Sequence, residues 1–160
     1  MISEKVLGTL KDEAFKNKQV DYVDIEWYEA FKKLHRKKTM TGSEIGIRLG
    51  NEILTKGLNQ DDVLAMEGET VIAVNIPPCK VIAVTADHHH LHMLIKAAYE
   101  IGNKHAAAFW GISDNQIITP YTEPLYELLS KLHGVTVEAR EETLIFSRSI
   151  SSSINNHNHD

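Results

Sequence analysis

At Pro77-Pro78 the hydrophobic rhythm of the chain changes, and that break limits the available folds more than any other feature. Before it, apolar residues recur at every second position, the period of a half-buried strand. After it, two stretches recur at helical spacing. Paired prolines cannot donate to a strand ladder and suit a linker. The pattern predicts an α+β chain: a β-rich N-terminal domain over residues 1–76, a second domain over 79–147, and a tail over 148–160.

In the first half, Val23, Ile25 and Trp27 alternate with Asp24 and Glu26. YEAFKKL suits one helical turn. RKKTMTGSEIGIRL reads as a hairpin, with Thr41-Gly42 at the turn and Ile45, Ile47 and Leu49 alternating after it. A second strand pair is expected on either side of Glu67-Gly68-Glu69.

The second half opens with the apolar strand KVIAVTA. Asp87 is placed to cap a helix whose apolar stripe is Leu91, Leu94, Ile95, Ala98 and Ile101, with Gly102 as its stop. HAAAFWG and NQIIT read as strands separated by Ser113-Asp114-Asn115. Thr122 and Pro124 open a second helix with Leu125, Leu128, Leu129 and Leu132 on its apolar side; Gly134 ends it and VTVEA is the last strand. The order βαββαβ is that of a ferredoxin-like split βαβ sheet with both helices on one face. That architecture leaves a sheet edge or the uncovered face for dimerisation. SRSISSSINNHNHD offers no core and reads as a flexible tail.

A net charge of −5 argues against nucleic acid as the main partner, because phosphate contacts need a basic face. The one basic run is KKLHRKK, Lys32 to Lys38, either a solvated face or a docking patch for an acidic surface. No stretch is long and apolar enough to predict a membrane span. MISEKVLGTL is too short and too polar for a signal peptide, so a cytoplasmic protein is expected. The single cysteine, Cys79, excludes a disulfide framework and a polythiolate zinc site. No G-x-S-x-G, P-loop, H-E-x-x-H or glycine-rich dinucleotide turn is present, which disfavours an enzyme.

Nine histidines remain to be explained. His88, His89, His90 and His92 cluster at the start of the first helix, where His88 and His92 are spaced to share a helix face. They read as a chelating pair or as a solvated helix start. His35 and His133 read as surface or structural residues. His157 and His159 stand two apart in the tail. His105 stands alone after Gly102, at the mouth of AAAFW, and reads as a metal ligand on a strand or as a helix-end residue bonding the last carbonyls. One imidazole cannot hold a transition metal, which wants about four donors. A two-fold axis near it would double the count, and two tails could complete the shell.

The chain resembles the UreE-type urease accessory proteins. VDIEWYEAFKKLHRKKTMTGSEIGIRL is similar to the family's first-domain stretch, and GLNQDDVL to the following segment, where the family often has glycine in place of Asp61. YEIGNKH resembles the signature Gly-Asn-Arg-His, with Lys104 in place of arginine. The resemblance implies a nickel metallochaperone with no catalytic activity of its own. It implies a partner-binding β domain and a ferredoxin-like domain that dimerises and holds Ni²⁺ at His105, with His157 and His159 as tail ligands and Zn²⁺ or Cu²⁺ as alternative occupants. It further implies work with the accessory GTPase UreG and the urease apoenzyme complex. It assigns nothing to His88, His89, His90 or His92. Two rival readings are a protein-binding module without metal transfer and a nickel or zinc buffer.

Overall fold

A computed structural model describes residues 1–151 and Ile154. The chain divides into two compact units, Met1–Pro77 and Pro78–Ile154.

The first unit contains β1 (Ile2–Ser3), β2 (Gly8–Thr9), β3 (Gln19–Asp24), β4 (Leu34–Lys38), β5 (Glu44–Arg48), a one-turn helix α1 (Ile53–Lys56), β6 (Asp62–Glu67) and β7 (Thr70–Asn75). They form a three-stranded sheet, β1-β5-β4, and a four-stranded sheet, β2-β6-β7-β3. The predicted hairpins are β4–β5, with Gly42 at φ 94°, and β6–β7, with Gly68 at φ 58°. The alternation after Val23 holds: Val23 and Ile25 are buried while Asp24 is exposed. The strand itself stops at Asp24, and Trp27–Phe31 forms turns instead. Strands β1 and β2 and helix α1 are too short to carry a periodic signal. Asp61, where the resemblance expects glycine, adopts φ 68°, a conformation in which glycine is the least strained residue.

Buried Asp21 ties the two sheets of this unit together. From β3 it accepts the Thr41 N–H at 3.1 Å and the Thr41 hydroxyl at 2.6 Å, next to the β4–β5 turn. Burial pushes its carboxyl upward, but hydrogen bonds from Thr39 and Thr41 outweigh that and hold it below the usual range. The unfolded chain therefore takes up this proton first as pH falls. The stabilisation is complete above about pH 4 and is lost progressively below it. The urea midpoint followed by Trp27 fluorescence should drop between pH 5.5 and 3, and should drop less in Asp21→Asn. Equal drops would show that Asp21 does not carry the acid sensitivity.

The second unit contains β8 (Cys79–Ala86), α2 (Met93–Asn103), β9 (Phe109–Trp110), β10 (Gln116–Pro120), α3 (Glu123–Ser130) and β11 (Val135–Glu142). The sheet order is β11-β8-β10-β9, with every pairing antiparallel, which is the ferredoxin-like arrangement. Ile82, Val84 and Ile117 on the sheet meet Ala97 and Ile101 of α2 and Leu125 and Leu129 of α3 in one core. Burial of each large aliphatic there contributes roughly 1.5–3 kcal/mol.

Four details differ from the sequence reading. Asp87 caps a 3-10 turn over His88–His90, accepting the His89 N–H at 3.1 Å, and α2 begins only at Met93. HAAAFWG is a strand only at Phe109–Trp110, because the three alanines pack as a loop and present no alternation. The sheet face away from the helices is not left open: Phe109 and Ile118 line a crevice with Leu144 and Ile145 from the segment after β11. That segment stays docked past residue 148, since Ile150 N–H donates to Ala108 O at 2.8 Å and Ile150 packs against the core. The tail histidines, His157 and His159, lie outside the described residues.

Candidate metal centre

Helix α2 does not stop at Gly102. Gly102 is helical, and the chain leaves the helix two residues later through a hydrogen-bonded cap. His105 N–H donates to Gly102 O at 2.9 Å, Ala106 N–H donates to Ile101 O at 3.2 Å, and His105 adopts φ 56°. This is the Schellman arrangement, whose left-handed residue is most often glycine. Here that position is histidine. Holding an L-residue in this conformation costs about 1 kcal/mol relative to glycine.

The cap fixes where His105 stands. Behind it, Ile101 is fully buried in the core. Ahead of it, Ala106 and Ala108 pack against the same core, and Ala107 O accepts the Thr119 hydroxyl at 2.7 Å. The His105 backbone is thus held on both sides, while the residue itself is exposed. Of the two positions that the sequence allows His105, on a strand or at a helix end, the structure has the helix end.

The stripe of α2 also differs from the predicted one. Ala97 and Ile101 are buried and Leu94 and Ala98 pack beside them, but Leu91, Ile95 and Tyr99 face outward, 48%, 75% and 69% exposed. Four-residue spacing sets these three on one side of the helix and its approach. The next turn on that side carries Gly102, around which a Cβ would meet nothing within 4 Å. An apolar ridge therefore runs along α2 and ends bare beside His105. Helical periodicity alone could not separate this second apolar side from the buried one, because the two adjoin.

The histidines before α2 do not form the predicted pair. His88 lies in the 3-10 turn and His92 precedes α2, so no continuous α-helix spaces them four apart. His90 approaches His133 instead, with ring centroids 5.1 Å apart and planes at 87°, and His92 at 6.1 Å. Among the described residues no group of three His, Cys, Asp or Glu side chains is arranged to hold a metal. Cys79 is half-buried at the start of β8.

The basic run divides between packing and exposure. Lys37 pairs with Glu29 at 2.6 Å with both half-buried, His35 Nε2 lies 2.9 Å from Lys32 O, and Lys33 donates to Asn51 at 2.9 Å. Arg36 is almost fully exposed, 3.9 Å from Glu44. Among the described residues no helix is long and apolar enough to cross a membrane.

Comparison with known proteins agrees with both units. Residues 3–77 match the family described as UreE urease accessory protein, N-terminal domain, and residues 79–160 match its C-terminal domain. A urease accessory protein UreE of Acetivibrio thermocellus is 42% identical over 131 residues, covering 82% of this chain and 81% of its own. One from Helicobacter pylori is 42% identical over 132 residues, covering 82% and 76%. One from Helicobacter acinonychis is 41% identical over 132 residues, with the same coverage. Matched over both halves, the chain belongs to the UreE urease accessory protein family.

Proposed function

We propose that the protein is a cytoplasmic nickel carrier for urease assembly, acting as a homodimer that holds Ni²⁺ between the His105 residues of its two copies. The observation that carries this reading is the exposed ridge of Leu91, Ile95 and Tyr99 leading to His105. Three large apolar side chains aligned along α2 and the turn that enters it invite burial against a second copy. A two-fold contact along that ridge sets like against like, so one fixed imidazole becomes two. Imidazole suits Ni²⁺, Zn²⁺ and Cu²⁺ alike, which makes the latter two competitors for the site.

His157 and His159 add donors from the tail. Ligands of that kind leave one at a time, which suits a protein that must surrender its ion. The carrier does not catalyse; the energy for insertion comes from the accessory GTPase UreG, and the urease apoenzyme complex is the recipient. The β-rich first unit takes the partner, and the second takes the metal and the second copy.

Calorimetric titration with Ni²⁺, run beside sedimentation, tests the reading. One tight ion per dimer is expected, with fewer ions or lower affinity after truncation at Ile154. Several equivalent weak ions would indicate a buffer, and no binding would leave a protein-binding module. For docking, Lys32, Lys33 and Arg36 changed together to Ala should weaken GTPase binding and leave Ni²⁺ affinity alone, the wild-type complex weakening as salt rises. Lys37 is kept, because removing it would unpair half-buried Glu29. GTPase binding equal to wild type would place the docking surface elsewhere.

A further inference from the structure

The histidines before α2 have no part in the His105 site, which lies at the opposite end of the helix, about 16 Å of axis away. We propose that His90 and His133 form a second, open seat for a divalent transition-metal ion, with His92 close enough to join by side-chain rotation. His90 comes from the 3-10 turn and His133 from just past α3, so two separate segments bring these imidazoles together.

The local backbone is shaped around His90. Gly134 adopts φ 77°, and a Cβ there would lie 2.7 Å from both Cβ and Cγ of His90. Asp87 N–H donates to Gly134 O at 3.0 Å, tying the turn before α2 to the connection after α3. His90 therefore packs directly on bare backbone, beside His133.

The two nitrogens of His90 differ in surroundings. Nδ1 is buried without a hydrogen-bond partner, and Asp87 Oδ2 lies 3.9 Å from it. Nδ1 is enclosed, which leaves Nε2 as the nitrogen that can take an ion.

Two imidazoles with water in the remaining positions suit Ni²⁺, Zn²⁺ or Cu²⁺ better than the hard, oxygen-seeking Mg²⁺ or Ca²⁺. The seat is weak by construction, having two fixed donors at the positive end of a helix. A weak, exposed seat exchanges its ion quickly and gathers metal without competing with a tighter site.

The test uses the full chain with His105, His157 and His159 changed to Ala and Ni²⁺ alone as the probe. Calorimetry should show one weak ion per chain, and paramagnetic broadening in imidazole NMR spectra should strike the His90 and His133 rings first. His90→Gln with His133→Gln should weaken that ion at least tenfold. If the double variant fails to fold, His133→Gln alone, at an exposed position, should weaken it at least threefold. Broadening that spares these two rings, or an affinity unchanged in the variants, overturns the proposal. Because His105 is absent throughout, failure here leaves the His105 reading untouched.

Discussion

His105→Gly is expected to make the protein more stable and unable to hold nickel tightly. Glycine is the residue that the left-handed end of α2 would choose on conformational grounds, and histidine at φ 56° forgoes that preference. The exchange keeps the backbone hydrogen bonds to Ile101 O and Gly102 O and relieves about 1 kcal/mol of backbone strain, partly offset by the entropy that glycine gains when unfolded. A histidine with only a capping purpose would make the substitution beneficial in every assay. Under the carrier reading it removes both imidazoles of a dimer's shared site at once. Ni²⁺ affinity should then fall on the order of 100-fold or more, beyond what loss of an outer-shell partner causes. His105→Ala should lose nickel equally without the gain in stability, since alanine is strained there too. Thermal melts and Ni²⁺ titrations on both variants decide it. Nickel affinity equal to wild type in either one would exclude His105 as the ligand.

The sequence placed His105 at the end of a helix but not in its conformation, and the difference has a physical origin. Glycine is the usual signal of a helix stop, so Gly102 drew the boundary; the fold carries α2 on to Asn103 and turns at the histidine. Strand alternation, the two hairpins and the βαββαβ order were legible because each is a local pattern repeated over several residues. The ridge on α2 was not. Leu91 and Ile95 share helical spacing with Leu94, Ala98 and Ile101, and only packing against Ile82, Val84 and Ile117 separates the buried side from the outward one. The meeting of His90 with His133 was equally hidden, since it joins positions 43 residues apart through Gly134. Helix α3 ends at Ser130, before the Gly134 that the sequence offers as its stop; Gly134 instead makes room for an imidazole.

Ile95→Asp is expected to dissociate the dimer and, from a position that ligates nothing, to abolish tight nickel binding. Ile95 is the middle of the ridge, between Leu91 and Tyr99, and is 75% exposed in the single chain. In a two-fold contact every substitution occurs twice, and a carboxylate near the axis faces its own copy. Burying two such charges in an apolar contact costs several kcal/mol, and about 4 kcal/mol already weakens association roughly 1,000-fold. The monomer itself should be unharmed, because Ile95 contributes nothing to the core of Ile82, Val84, Ala97 and Ile101. Ile112 supplies the control: it is more exposed still, at 84%, but lies in the turn before β10, and Ile112→Asp should leave both assembly and nickel binding as they are. Sedimentation and Ni²⁺ titration on the two variants separate the possibilities. A dimeric Ile95→Asp protein would move the interface off α2. A monomeric one that still binds nickel tightly would mean that the ion is held within one chain, and that the symmetry argument for a lone histidine fails.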